Sequence, residues 1–137
     1  MEIVEKFWKT SSRSFNNSLR IGNLTLYYAR MLQKIQKMLD DEKSEVEIIC
    51  YRNIVFDYLR DLKEDEFYEE ESFLSCFLDG FDESFGNVNI VVKVPKKSSY
   101  LCFDDVIILP PGIYKLLSKS DYEYCIEFVK YKKIELE

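Results

Sequence analysis

The stretch from Ser44 to Lys63, "SEVEIICYRNIVFDYLRDLK", decides how the chain is read. Val46, Ile49-Cys50, Asn53-Ile54, Asp57-Tyr58 and Leu62 recur at a spacing of three and four, the period of a helix. Ile48, Val55, Phe56 and Leu59 make the segment apolar on its other sides as well, as in a helix buried between neighbours. Ser44 is placed to cap its N-terminus. The spacing therefore predicts a central buried helix ending near Lys63.

Working outward, helical spacing also covers residues 23–39, with Leu24, Tyr28, Met31, Ile35 and Met38-Leu39 on one stripe. A third helix is expected from Glu66 to about Ser84. There Phe67, Phe73-Leu74, Phe77-Leu78 and Phe81 repeat, and Glu69, Glu70 and Glu71 suit a helix N-terminus. Val4, Phe7-Trp8 and Phe15 give residues 2–18 a weaker helical pattern. At "SFGNVN" the period changes to two: Val88, Ile90, Val92 and Val94 alternate up to Pro95. Further strands are expected at Tyr100–Phe103, Val106–Leu109 and Tyr122–Phe128, with a short helix at Ile113, Leu116 and Leu117. The expected fold class is α+β: a helical domain over 1–84, a hinge at 85–87, and a small β-rich domain over 88–137.

Composition bounds the function. With 137 residues, 47% apolar and 15% aromatic, the chain folds without staples. The net charge of −6 leaves direct DNA binding weak at most, because phosphate recognition needs a basic surface. The acidity is local: residues 61–85 carry 10 acidic side chains against Lys63 alone. No apolar run is long enough to span a bilayer, and the charged N-terminus is unlike a signal peptide. Cys50, Cys76, Cys102 and Cys125 lack metal-ligand spacing and read as buried free thiols in a reducing compartment.

Candidate chemistry is sparse. Histidine is absent, and four glycines form neither phosphate-loop pattern, so no cofactor is expected. The acidic run "KEDEFYEEES" (63–72) could hold a divalent cation but reads as a solvated helix start. Asp104-Asp105 read as a turn or a strand cap, and Ser118-Lys119 as a helix end. Tyr122, Tyr124 and Phe128 interleave with lysines and could stack single-stranded bases, although the same face with Ile126 suits a core. Elimination leaves a protein that makes contacts and does not catalyse.

Two segments resemble a subunit of the GINS complex, the accessory factor of the archaeal and eukaryotic replicative helicase. The small domain resembles that family in Val92-Lys93-Val94, the "PKKSSYLCF" loop, Asp104-Asp105, Val106 to Pro110, Leu116-Leu117 and Tyr124-Cys125-Ile126. The segment "IICYR" resembles the family's long buried helix, with Arg52 where a basic residue often stands. With its small domain last, the chain is similar to the Sld-five and Psf-one class, in an archaeal version.

The resemblance implies a non-catalytic scaffold in DNA replication that pairs with a small-domain-first subunit as a 2:2 heterotetramer. It also implies contacts to the MCM helicase and to a RecJ-like (Cdc-forty-five-like) protein, in the cytoplasm at the replisome, or in the nucleus of a eukaryote. The helical interface would draw on Tyr27, Tyr28, Ile35, Arg52, Phe56, Phe73 and Phe77. The small domain would dock through Val92, Leu101, Ile107, Leu109 and Tyr124. A stand-alone or viral adaptor, and a single-strand binder, are the alternative readings.

Overall fold

The structure, a computed structural model, describes residues 2–136. Two helices come first, α1 (Glu2–Ile21) and α2 (Leu26–Asp41). Eight strands follow: β1 (Ile48–Ile54), β2 (Phe67–Glu70), β3 (Leu74–Phe77), β4 (Val88–Val94), β5 (Leu101–Phe103), β6 (Val106–Leu109), β7 (Gly112–Ser120) and β8 (Glu123–Tyr131). They form one sheet in the order β2-β7-β8-β4-β1-β3-β6-β5. Every pairing is antiparallel except β4 with β8.

The helices follow from local chemistry. In α1, Val4, Phe7, Trp8 and Phe15 are buried along one stripe. Gly22 ends the helix at φ 71°, and the Gly22 and Asn23 amides donate back to the Leu19 and Ser18 carbonyls. That left-handed conformation is one glycine adopts without a Cβ penalty. Thr25 caps α2 by accepting from the Tyr28 amide at 3.1 Å.

Two cores divide the apolar residues. The inner core combines Cys50 of β1, Cys76 of β3, Val92 of β4, Leu109 of β6, Tyr114 of β7 and Ile126 of β8. Strands near opposite ends of the sheet thus share one core, so the sheet folds over on itself. The second core packs α1 and α2 against the outer face of β3, β5 and β6, through Phe73, Leu101, Phe103 and Ile108.

The structure corrects the expected helical domain. Ile48–Ile54 is a central strand, hydrogen-bonded to β4 on one side and β3 on the other. Its apolar residues lie on both faces of the sheet, and apolar side chains on both faces hide the alternation of a strand. The third expected helix is two short strands, β2 and β3, and the expected short helix at Ile113–Leu117 lies within β7. In place of a bundle with a small β-rich appendage, the fold is two helices and a large mixed sheet that uses residues from 48 to 131. The strands expected at Val88–Val94 and Val106–Leu109 are present as read.

Candidate functional site

Arg52 is the centre of the site. It lies in β1 between Cys50 and Ile54, and the period of two sends all three toward the inner face. Arg52 lines a cleft of about 440 Å³ together with Arg20, Ile54, Phe56, Tyr58, Glu70 and Leu74. One guanidinium nitrogen, Nη1, donates to the Ser75 carbonyl of β3 at 3.2 Å, which fixes the plane of the group. Its Nε is buried with no partner among the described residues.

Three elements supply the rest. Arg20 comes from the last turn of α1. Glu70 ends β2, and its Oε1 is likewise buried without a hydrogen-bond partner among the described residues. Burial pushes its carboxyl above the ordinary range, while the Tyr58 hydroxyl, Arg52 and Arg20 pull it back down. Tyr58 is raised by burial of its hydroxyl and by the Glu70 charge, although its ring edge stays exposed. Phe56 stands at the mouth, 78% exposed.

Neither Arg20 nor Arg52 forms an ion pair among the described residues. Two guanidiniums without an ion-pair partner, a half-buried carboxylate, an apolar wall and an exposed ring suit an anionic ligand that also carries a planar group. Arginine is the side chain best shaped for phosphate oxygens. The unpartnered Nε and Oε1 are the atoms such a ligand would satisfy.

A second, wider depression lies beyond Val55, lined by Asp57, Arg60, Lys119, Tyr122 and Tyr124. Two of its charged groups, Asp57 and Lys119, are committed to partners within the chain. Tyr124 donates to Asp57 at 2.6 Å and is pushed up to about 12, first by burial and then by that carboxylate. Lys119 donates to the Arg60 and Leu62 carbonyls.

The residues singled out from the sequence scatter. Arg52 and Phe56 meet in the cleft. Tyr27 is exposed on α2, while Tyr28 and Phe77 are half-buried. Ile35, Phe73 and Leu101 lie in the helical core, and Val92, Ile107, Leu109 and Tyr124 in the inner core. Ser118 and Lys119 belong to β7 and not to a helix end. Asp104-Asp105 form the turn between β5 and β6. No cluster of three metal-ligating side chains exists among the described residues. All four cysteines are free, but Cys102 is exposed and Cys125 only half-buried, against the expectation of four buried thiols. Arg20, Tyr58 and Glu70 were missed as site residues. Glu70 sits inside the acidic run, where nothing but its alternation with Tyr68 sets it apart.

No family model matches the sequence, and no curated protein matches it. Solved structures do. The chain superimposes on an ADP-ribosyltransferase from Clostridium botulinum with a TM-score of 0.76 at 16% identity, covering 93% of this chain and 85% of that one. The fold is that of the ADP-ribosyltransferase toxins. Exoenzyme S from Pseudomonas aeruginosa, solved with human 14-3-3 protein beta and Carba-NAD, matches at 0.71 and 15% identity, over 88% of this chain and 68% of that one. The toxin BECa of C. perfringens, solved with NADH, matches at 0.73 and 11% identity over 92% of this chain, which spans 42% of that toxin.

These likenesses overturn the GINS reading. The matched chains are ADP-ribosyltransferase toxins and not GINS subunits, so the expected small-domain-first, MCM and RecJ-like partners have no support. The fold is shared with enzymes, which corrects the expectation of a non-catalytic scaffold; a stand-alone or viral adaptor gains nothing from them either. The physical reason for the error is the reading of "IICYR" as helix, on which the resemblance to a long buried helix depended.

Proposed function

We propose that the Arg52 cleft binds a nicotinamide dinucleotide and that the chain transfers its ADP-ribose part to an acceptor. The observation that carries this reading is the pair of arginines without an ion-pair partner among the described residues, Arg20 and Arg52, facing one cleft beside Glu70. The fold of ADP-ribosyltransferases, two of them solved with Carba-NAD or NADH, supports it.

The chemistry follows from the groups present. Arg20 and Arg52 hold the pyrophosphate, and Phe56 and Tyr58 offer faces for a planar ring. Transfer breaks the bond between the ribose C1′ and the nicotinamide nitrogen, and nicotinamide departs neutral with the electron pair. Positive charge then builds at C1′, as in glycosyl transfer generally, and a carboxylate held nearby stabilises it. Glu70 is the carboxylate lining the cleft. The acceptor's nucleophilic atom bonds to C1′ and loses its proton.

Titration calorimetry with NAD on the full chain tests binding, and chromatography of released nicotinamide tests transfer. Arg52→Ala is expected to weaken NAD binding at least about tenfold, the loss of a charge-assisted bidentate contact. Absence of NAD binding by the unaltered chain overturns the reading. NAD binding with no nicotinamide release, in the presence of small guanidine or thiol acceptors or of water, overturns the transfer step.

A further inference from the structure

The outer face of the sheet is only half covered. In-register pairing places Phe77 of β3, Tyr51 of β1, Val91 of β4 and Cys125 of β8 in one row across four strands. Side chains directly opposite across strands share a face. The neighbouring row, Cys50, Val92 and Ile126, points inward; Cys50 and Val92 are fully buried, as is Ile126. The outer row is half-buried throughout. Helix α1 reaches β3 at Ser75, through the Trp8 indole, and Phe77 stands two residues further along the same face.

The segment after β3 extends this bare face. Phe81 packs edge-on against Tyr51 at 5.2 Å between ring centres, and Phe85 stacks on Phe77 at 5.5 Å. Leu78, Phe81 and Phe85 remain 38%, 36% and 54% exposed. Asn53 holds the segment in place: its amide donates to the Gly86 carbonyl and its oxygen accepts from the Asp82 amide. A fixed, contiguous aromatic surface of this kind marks an interaction site.

The rim is acidic at the end nearest Phe77 and Phe85. Asp79, Asp82, Glu83 and Asp105 are exposed around the aromatics, and none forms an ion pair among the described residues. The backbone brings Asp105 beside β3, where its carbonyl accepts from the Leu78 amide at 2.9 Å. Asp105 crowds Asp79 closely enough to push the Asp79 carboxyl up. No lysine or arginine stands in β3 or the segment 78–92; the nearest outer-face cations are Lys9, paired with the neighbouring Asp104 at 3.6 Å, and Lys93, beside Cys125 at the far end of the row.

We propose that this face docks a partner protein through a segment carrying both basic and apolar side chains, with a cation seated between Asp79 and Asp105. Complementary charge at the rim steers such an encounter, and the aromatic centre supplies the affinity. A second copy of this chain fits poorly, because a two-fold interface would set the acidic rim against itself. An anionic membrane or nucleic acid is repelled by the same rim. The inference is independent of what the Arg52 cleft binds.

The test uses the full chain, a fluorescent peptide of alternating arginine and leucine, and its glutamate–leucine counterpart, read by anisotropy and by amide-exchange footprinting. The arginine peptide is expected to bind and to protect residues 77–85. Phe85→Ser, and Asp79→Asn with Asp105→Asn, are each expected to weaken it about tenfold or more, whereas Leu26→Ser on α2 leaves it unchanged. NAD binding is expected to be the same in all three variants, which separates this face from the cleft. No binding, equal binding of the glutamate peptide, protection elsewhere, or self-association through Phe85 in place of peptide binding would each overturn the proposal.

Discussion

The indole nitrogen of Trp8 donates to the Ser75 hydroxyl at 3.0 Å, and the carbonyl of the same serine accepts from Arg52. One residue of β3 therefore ties α1 to the outer face of the sheet and anchors the cleft arginine on the inner one. Trp8→Phe removes the first bond and part of the packing against Phe15 and Phe73. The expected loss is about 1–2 kcal/mol in a urea titration. Trp8→Ala is expected to cost about 3–5 kcal/mol.

Glu70 carries the pH dependence of the cleft. Its carboxyl is raised from an ordinary value of 4.5, so the folded chain binds the proton more tightly than the unfolded chain does. Stability contributed by this group is full below the unfolded value and declines as pH rises through the folded one. Glu70→Gln is expected to flatten that decline in urea titrations run from acid to neutral pH. The same variant is expected to keep NAD affinity within about threefold while nicotinamide release falls about 100-fold or more. A variant that releases nicotinamide at the unaltered rate would remove Glu70 from the reaction.

The four thiols are expected to react with a maleimide in three steps. Cys102 is exposed and reacts first, slowed by partial burial and by the Asp104 and Asp105 charges, which push its thiol up. Cys125 follows, and Cys50 and Cys76 react only on unfolding. Intact-mass measurement over time distinguishes the steps.

Gly112 opens β7 where it runs against the end of β8, and a Cβ there would collide with the Lys130 carbonyl oxygen. Gly112→Ala is expected to cost about 3 kcal/mol or more, because the obstacle is backbone in a hydrogen-bonded pair and cannot step aside. Thermal unfolding followed by circular dichroism checks it.

Legibility from sequence followed the number of faces on which each strand carries apolar residues. Val88–Val94 was plain because Val88, Ile90, Val92 and Val94 are buried while Asn89, Val91 and Lys93 are half-exposed. Ile48–Ile54 was not, because Cys50 and Ile54 serve the inner core while Ile49 and Tyr51 stand on the half-covered outer face, and the sum imitates a helix. Phe67, Phe73 and Phe77 fell on a helical spacing that runs across two separate strands and the break between them, Glu71–Phe73, which carries neither glycine nor proline. In β7, Tyr114 and Leu116 alternate as a strand should, but Ile113, Leu116 and Leu117 also satisfy the helical spacing. The site was legible in two residues, Arg52 and Phe56. Arg20 and Glu70 join Arg52 from 32 residues before and 18 after, through pairings that local pattern does not encode.

The position of β8 has a consequence for how the chain is made. This last strand lies inside the sheet, with β7 on one flank and β4 on the other, and it alone joins the β2–β7 pair to the remaining strands. A ribosome delivers Glu123–Tyr131 after every other strand of the sheet has emerged. Until then the nascent chain holds two sheet fragments with open edges, each ready to pair with whatever strand comes near. Vectorial synthesis thus places the keystone last, and the interval before it arrives is when this protein most depends on a chaperone.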